Sequence, residues 1–332
     1  MDIQLIWACI LSIAIFAYVI LDGFDLGIGL NYPFLKSKND RDVAMNSVAP
    51  IWDGNETWLV LGGGGLFAAF PLAYSIVLPA LYAPLTAMLI GLILRGVAFE
   101  FRWKNKKQTN IWDFAFFGGS FIAAFFQGVA LGAFIQGIPV MERAYSGGWW
   151  NWLSPFSVIT GFAIVFGYSL LGSTWLIYKT ENLIKRNMQK LAIKFFTLTL
   201  FMIFIVSIWT PYLHPEYFNK WFSFPQIYYV LPVPLLVAFS AFMCFRGIYK
   251  NKDLQPFLWS IVLFLLSFIG LAISIFPNVV PPQITIWDAA APEKSLKFLL
   301  IGVLIFLPII IAYTAYTYWV FRGKVKPGEN YH

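Results

Sequence analysis

The chain has 332 residues, 59% of them hydrophobic and 12% charged, with a net charge of +7 and a mean hydropathy of +0.71. A soluble domain carries about 25% charged residues, and a protein of this size has too much surface to hide so much apolar side chain from water. These figures exclude an ordinary soluble enzyme, a disordered chain and a collagen-like fibre, and they point to an all-α polytopic protein of the lipid bilayer. The basic residues fall in short runs between apolar stretches, so they read as membrane topology and not as a nucleic-acid surface. Cys9 and Cys244 both sit inside apolar segments; they form no disulfide framework and no CxxC pair for a metal.

A bilayer core of about 30 Å needs roughly 20 apolar residues in helix. Charge-free runs of this kind cover 3–21, 57–94, 114–140, 149–178, 195–213, 221–245, 254–277 and 298–321. The second run is too long for one ordinary span and short for two, and it contains glycines from Gly62 to Gly65 together with Pro71, Pro79 and Pro84. The reading is a span over 74–94, preceded at 52–70 by an extended, interfacial or part-inserted helix. That predicts eight transmembrane helices. The basic loop at 179–194 divides them into two four-helix bundles, 1–178 and 179–332.

Lys and Arg then set the orientation. With eight spans, the even-numbered loops and the C-terminal tail hold fifteen basic residues, and the odd-numbered loops hold seven. The bias predicts both termini in the cytoplasm, and it is taken to favour eight spans over nine. Asp2 stands where a secretory signal would have a basic residue, so the first span is expected to stay as an anchor.

Ionisable residues near the spans are the functional candidates in a chain this apolar. Asp22 and Asp25 close the first run in Asp22-Gly-Phe-Asp-Leu-Gly-Ile-Gly29. Their spacing puts both on one helix face if the helix continues. Two neighbouring carboxylates suit the holding or passing of a proton; alternatively the glycines end the helix and both acids are wetted at the interface. Those glycines also suit close helix packing, as does the Gly128/Gly132 pair in the third span. Asp53 and Glu56, in Trp52-Asp-Gly-Asn-Glu-Thr-Trp58, fit an Asp-x-x-Glu cap opening a helix, compatible with a proton role. Trp52 and Trp58 read as interface anchors or as packing for a flat cofactor. Arg95 reads as a snorkelling arginine at a span end, or as the partner of Glu100 or another buried acid. Asp113 and Asp288 read as helix starts. Haem iron needs axial His, Met or Cys, but His214 lies in a loop beside prolines and His332 is the last residue. Any redox metal is therefore expected in another chain.

Several stretches together resemble a known family. Asp22-Gly-Phe-Asp-Leu-Gly-Ile-Gly29 and Asn46-Ser-Val-Ala-Pro-Ile-Trp-Asp-Gly-Asn-Glu-Thr-Trp58 are similar to the signature of subunit II of the cytochrome bd-type quinol oxidases. Gly64-Gly-Leu-Phe-Ala-Ala-Phe-Pro71, Arg95-Gly-Val-Ala-Phe-Glu-Phe-Arg102, Gly118-Gly-Ser120, Gln136-Gly137 and Thr285-Ile-Trp-Asp-Ala289 follow in family order. The rather short loops resemble the cyanide-insensitive branch. The resemblance implies a partner subunit I that ligates b-type and d-type haems, in a complex of the bacterial inner membrane. That complex oxidises quinol, reduces dioxygen to water and builds a proton-motive force by drawing substrate protons from the cytoplasm. It implies that Asp25 and Asp53 serve the haem environment and proton supply, with Trp58 near a proposed oxygen path. It also allows a structural quinone in this subunit and a small single-span third subunit. Glu56 departs from those members that carry a neutral residue there. A proton-coupled secondary transporter is the alternative of a different class; a purely structural partner is the other.

Overall fold

The computed structural model describes residues 2–104 and 109–326; Lys106 and Lys107, two of the fifteen basic residues counted above, and His332 lie outside the described residues. The chain is helical almost throughout. In order come α1 (Ile3–Asn31), α2 (Lys38–Asn46), α3 (Trp52–Ala69), α4 (Pro71–Ala80), α5 (Tyr82–Lys104), α6 (Thr109–Gln136), α7 (Pro155–Lys179), α8 (Asn182–Trp209), α9 (Pro215–Phe222), α10 (Ile227–Val230), α11 (Pro232–Tyr249), α12 (Gln255–Ile275), α13 (Ile286–Ala289) and α14 (Glu293–Val320). Two small antiparallel pairs, Val140–Met141 with Ala144–Tyr145 and Asn278–Val280 with Ile284–Thr285, lie in loops. Eight helices, as expected, are long and apolar enough to cross a membrane: α1, α5, α6, α7, α8, α11 extended by α10, α12 and α14.

Local chemistry explains the element boundaries. Asp2 caps α1 by accepting from the Leu5 amide at 3.0 Å. The helix then runs 29 residues without a proline, well beyond the expected end at Leu21. The glycines after Asp22 do not stop it, because they are where other helices press in. A Cβ on Gly27 would strike the Tyr168 carbonyl of α7, and one on Gly172 would strike the Gly27 backbone. Gly128 and Gly132 admit α7 against α6 in the same way, with the Thr160 carbonyl and the Ser157 Cα each 2.6 Å from where a Cβ would sit. The span expected at 74–94 is displaced. Pro84 lacks the N–H that would bond the Ala80 carbonyl, so α4 stops at Ala80, the chain turns at Leu81, and the long helix is Tyr82–Lys104.

The segment 52–70 is one helix, and its contacts fix its direction. Asn55 lies beside Leu21 of α1, Gly62 against Ile15, Gly65 against Leu11, and Phe70 in one cluster with Trp7 and Ile3. Therefore α3 runs antiparallel to α1 along most of its length. The two chain ends lie at opposite ends of the molecule. Asp2 accepts from the Trp287 indole just ahead of α14, whereas Val325, beyond the far end of α14, donates its amide to the Lys179 carbonyl at 2.9 Å. Lys179 binds the Phe321 and Gly323 carbonyls in return. Lys324 reaches Asp253 at 2.6 Å, and Lys185 binds the same carboxylate. The tail thus straps the ends of α7, α8, α11 and α12 together. By contrast, Leu296 is the only residue that α14 buries.

Candidate functional site

Four helices converge on one buried polar cluster. Asp22 and Asp25 of α1 are both 0% exposed. Since α1 continues to Asn31, they occupy its interior and not a wetted end. Arg95 of α5 is also fully buried; its Nη1 donates to Asp22 Oδ1 at 2.5 Å and its Nη2 binds Glu56 of α3. The snorkelling reading of Arg95 is thus replaced by a bridge between two acids. Glu100 is not one of them: it is exposed and lies 3.5 Å from Lys104.

Asn55 holds the other half of the cluster. Its Nδ2 donates to Asp25 Oδ2 at 2.7 Å and to the Leu21 carbonyl at 3.2 Å, and its Oδ1 accepts from the Tyr318 hydroxyl of α14 at 2.8 Å. Asn55 and Tyr318 are the residues that sequence reasoning missed. The signal for Asn55 was an amide set between two acids, Asp53 and Glu56, at the head of an apolar run; Tyr318 carried none, being one aromatic among many in the last span. Asp25 Oδ1 and Arg95 Nε are buried without a partner among the described residues. Arg95 thus pairs with two carboxyls, the buried Asp22 and the half-buried Glu56, while the buried Asp25 beside them is held by Asn55 alone, in an interior where unbalanced charge is expensive.

The tryptophans and Asp53 sit around this core. Trp58 is buried against Ala14 and Tyr18 of α1. Trp52 stacks on Phe99, with ring centroids 5.0 Å apart and planes 9° apart. Asp53 lies in the first turn of α3 but does not cap it; Ile51 occupies the cap position and no side chain bonds there. Asp53 is exposed, outside the buried network. The cap expected from Asp53 and Glu56 is thus absent, because Glu56 turns inward to Arg95. Asp288, by contrast, does open its helix through a reciprocal cap with Thr285.

A second network stands two turns along α5. Arg102 donates to Asp113 Oδ1 at 2.5 Å and pairs with Asp42 at 2.7 Å, and Arg41 binds Asp113 Oδ2 at 2.9 Å. Asp113 is therefore more than a helix start: it ties α6 to α5 and to α2. His214 is engaged with the Gln136 carbonyl at 2.8 Å. No group of three or more metal-ligating side chains converges among the described residues.

Comparison with known proteins agrees with this architecture along the whole chain. A family model described as cytochrome bd terminal oxidase subunit II matches residues 3–321. The chain is 27% identical over 367 residues to cytochrome bd-I ubiquinol oxidase subunit 2 of Escherichia coli (strain K12), covering 97% of this chain and 95% of that protein. It is 28% identical over 334 residues to cytochrome bd ubiquinol oxidase subunit 2 of Bacillus subtilis (strain 168), covering 98% and 97%. The structure of bd oxidase from Geobacillus thermodenitrificans superposes with a TM-score of 0.79 over 97% of this chain and 99% of that one; at 17% identity this establishes a common fold.

Proposed function

Since the chain belongs to the cytochrome bd terminal oxidase subunit II family, we propose that it is the second subunit of a bacterial inner-membrane quinol oxidase, packed against a subunit I that carries the b-type and d-type haems. The complex oxidises quinol, reduces dioxygen to water and contributes to a proton-motive force. The comparisons support this reading over a proton-coupled transporter. When bound in the partner, the haems supply the electron transfer and oxygen chemistry. The residues of this chain hold protons and balance charge.

Charge supports an orientation that differs from the one expected from eight spans. Sixteen of the described Lys and Arg lie towards the end that holds Lys179 and the C-terminal tail; four, Arg143, Lys220, Lys294 and Lys297, lie at the other. The basic end is the cytoplasmic one. In this arrangement α3 crosses beside α1, the N-terminus is outside and the C-terminus inside. The Asp22/Asp25/Arg95 cluster then sits nearer the cytoplasm than the outer face, as proton uptake from that side requires. The Arg41, Asp42, Arg102 and Asp113 network lies between the cluster and that surface. Asp53, exposed in the isolated chain, is the acid presented to a partner. Spans 1–178 and 179–332 form the two bundles, with α7 packed on α8 between them. A structural quinone and a small single-span subunit remain compatible with the apolar faces.

The observation that carries the proton role is the buried Asp25, one carboxyl oxygen unpartnered, beside an arginine already paired with Asp22 and Glu56. Asp25→Asn and Asp53→Asn keep shape and remove the titrating group. In the purified complex we expect haem content retained, with quinol oxidase turnover reduced at least tenfold for Asp25→Asn. Wild-type turnover with full haem content in both variants would remove the proton role. A fall in haem content would make the residue structural at the interface. A mild-detergent pull-down that yields a colourless, solitary chain would sink the oxidase reading itself.

A further inference from the structure

We propose that a groove between the start of α8 and the end of α11 binds the phosphate headgroup of an anionic phospholipid. The groove is open along its length and holds about 430 Å³, and its rim carries Arg186 and Lys190. These two cations stand one helical turn apart on one face of α8. Neither has a carboxylate partner among the described residues, whereas nearby Lys185 and Lys324 are both neutralised by Asp253. Like charges at this spacing repel and destabilise a helix. An anion lying between them offsets that cost.

Below the cations the wall changes character. The stripe that begins at Arg186 and Lys190 continues through Ile193, Phe201, Phe204 and Ile208, all exposed. From Arg186 to Ile208 is 22 residues, about 33 Å of helix, close to the depth of a bilayer core. The opposite wall is α11, where Tyr249, Phe245 and Phe242 are likewise exposed and Phe196 of α8 meets Phe245 at 6.0 Å. A cationic rim at the head of an exposed apolar stripe of that length matches one phospholipid: phosphate at the top, an acyl chain below. Basic pockets between helices on the cytoplasmic side recognise such headgroups. Of the other basic residues at this end, Lys36 and Lys38 are exposed at the start of α2, away from α8 and α11, and Arg322 lies over the Trp319 ring.

The test uses the assembled complex in neutral detergent, comparing wild type, Arg186→Gln/Lys190→Gln and the control Lys36→Gln/Lys38→Gln, which removes equal charge from the same end. Each is titrated with phosphatidylglycerol, with phosphatidylcholine and with inorganic phosphate, while the thermal midpoint and retained lipid phosphorus are read. We expect phosphatidylglycerol to bind and stabilise wild type and control, and its apparent affinity to fall roughly tenfold to thirtyfold in the groove variant. Phosphatidylcholine should leave all three unchanged. Equal phosphatidylglycerol binding by all three proteins would overturn the proposal. Equal stabilisation by inorganic phosphate would assign the rim to a free anion instead and overturn the lipid reading. If the double variant fails to assemble, Lys190→Gln alone carries the comparison, with a smaller loss of affinity expected and none overturning it.

Discussion

Arg95 is the residue on which the polar cluster depends. It is wholly buried and bridges Asp22 to Glu56 across three helices. Removing one partner of a buried ion pair costs about 3–5 kcal/mol, because the other charge is stranded. We expect Arg95→Gln to lower the thermal midpoint of the assembled complex sharply and Arg95→Gln/Asp22→Asn to recover part of the loss. A wild-type midpoint for Arg95→Gln would contradict the bridge. Arg95→Lys should not substitute, since one ammonium lacks the guanidinium fork that serves two carboxyls at once. Asp22, Asp25, Glu56 and Arg95 were all legible as candidates, because ionisable groups stand out in an apolar chain. Their pairing was not. Asp22 and Arg95 lie 73 residues apart and meet only when α1 and α5 pack. Asp53 shows the converse: it lies two positions before Asn55 yet faces outward, since two positions along a helix turn a side chain by about 200°.

The elements hold together through glycine contacts at one level and through the C-terminal strap at another. The strap is pH-sensitive in a defined direction. Burial opposes ionisation of Asp253, but hydrogen bonds from Lys185 and Lys324 outweigh it and hold the carboxyl below its ordinary value. A carboxyl with a depressed pKa in the folded state contributes stability that is present above its ordinary value, near 3.9, and is lost as pH falls through the lower, folded value. We expect hydrogen exchange and proteolysis at residues 321–326 to stay slow from neutrality to about pH 4 and to rise below it. Asp253→Asn should show the fast behaviour at neutral pH; strap protection unchanged by that substitution would exclude the role. Asp2, Ser154 and Thr285 each open a helix through a local bond. The expected end of α1 and start of α5 were both displaced. Glycines after Asp22 look like a helix stop until α7 is seen to need them, and the effect of Pro84 on Ala80 falls four residues before the proline itself.

For the whole molecule, orientation is the decisive prediction. Single cysteines introduced at Gln4 and at Lys326, in a background lacking Cys9 and Cys244, should label from opposite sides of intact cells. The Gln4 site should react with a membrane-impermeant thiol reagent and the Lys326 site only after permeabilisation. Protection of both sites until permeabilisation would return the N-terminus to the cytoplasm. Composition alone determined that this is a polytopic helical membrane protein, because 12% charge cannot solvate a chain of 332 residues as a soluble globule. The ordered motifs determined its family. The direction of α3 was beyond reach of the sequence: eighteen residues with two acids and four consecutive glycines score poorly as a span. Only its register along α1, from Leu21 to Leu11, reveals it as an antiparallel neighbour. Helix-forming and membrane-seeking tendencies are local sums over side chains and can be read in one dimension. Which face of a helix meets which partner depends on contacts between residues tens to hundreds of positions apart, and those were decided by packing.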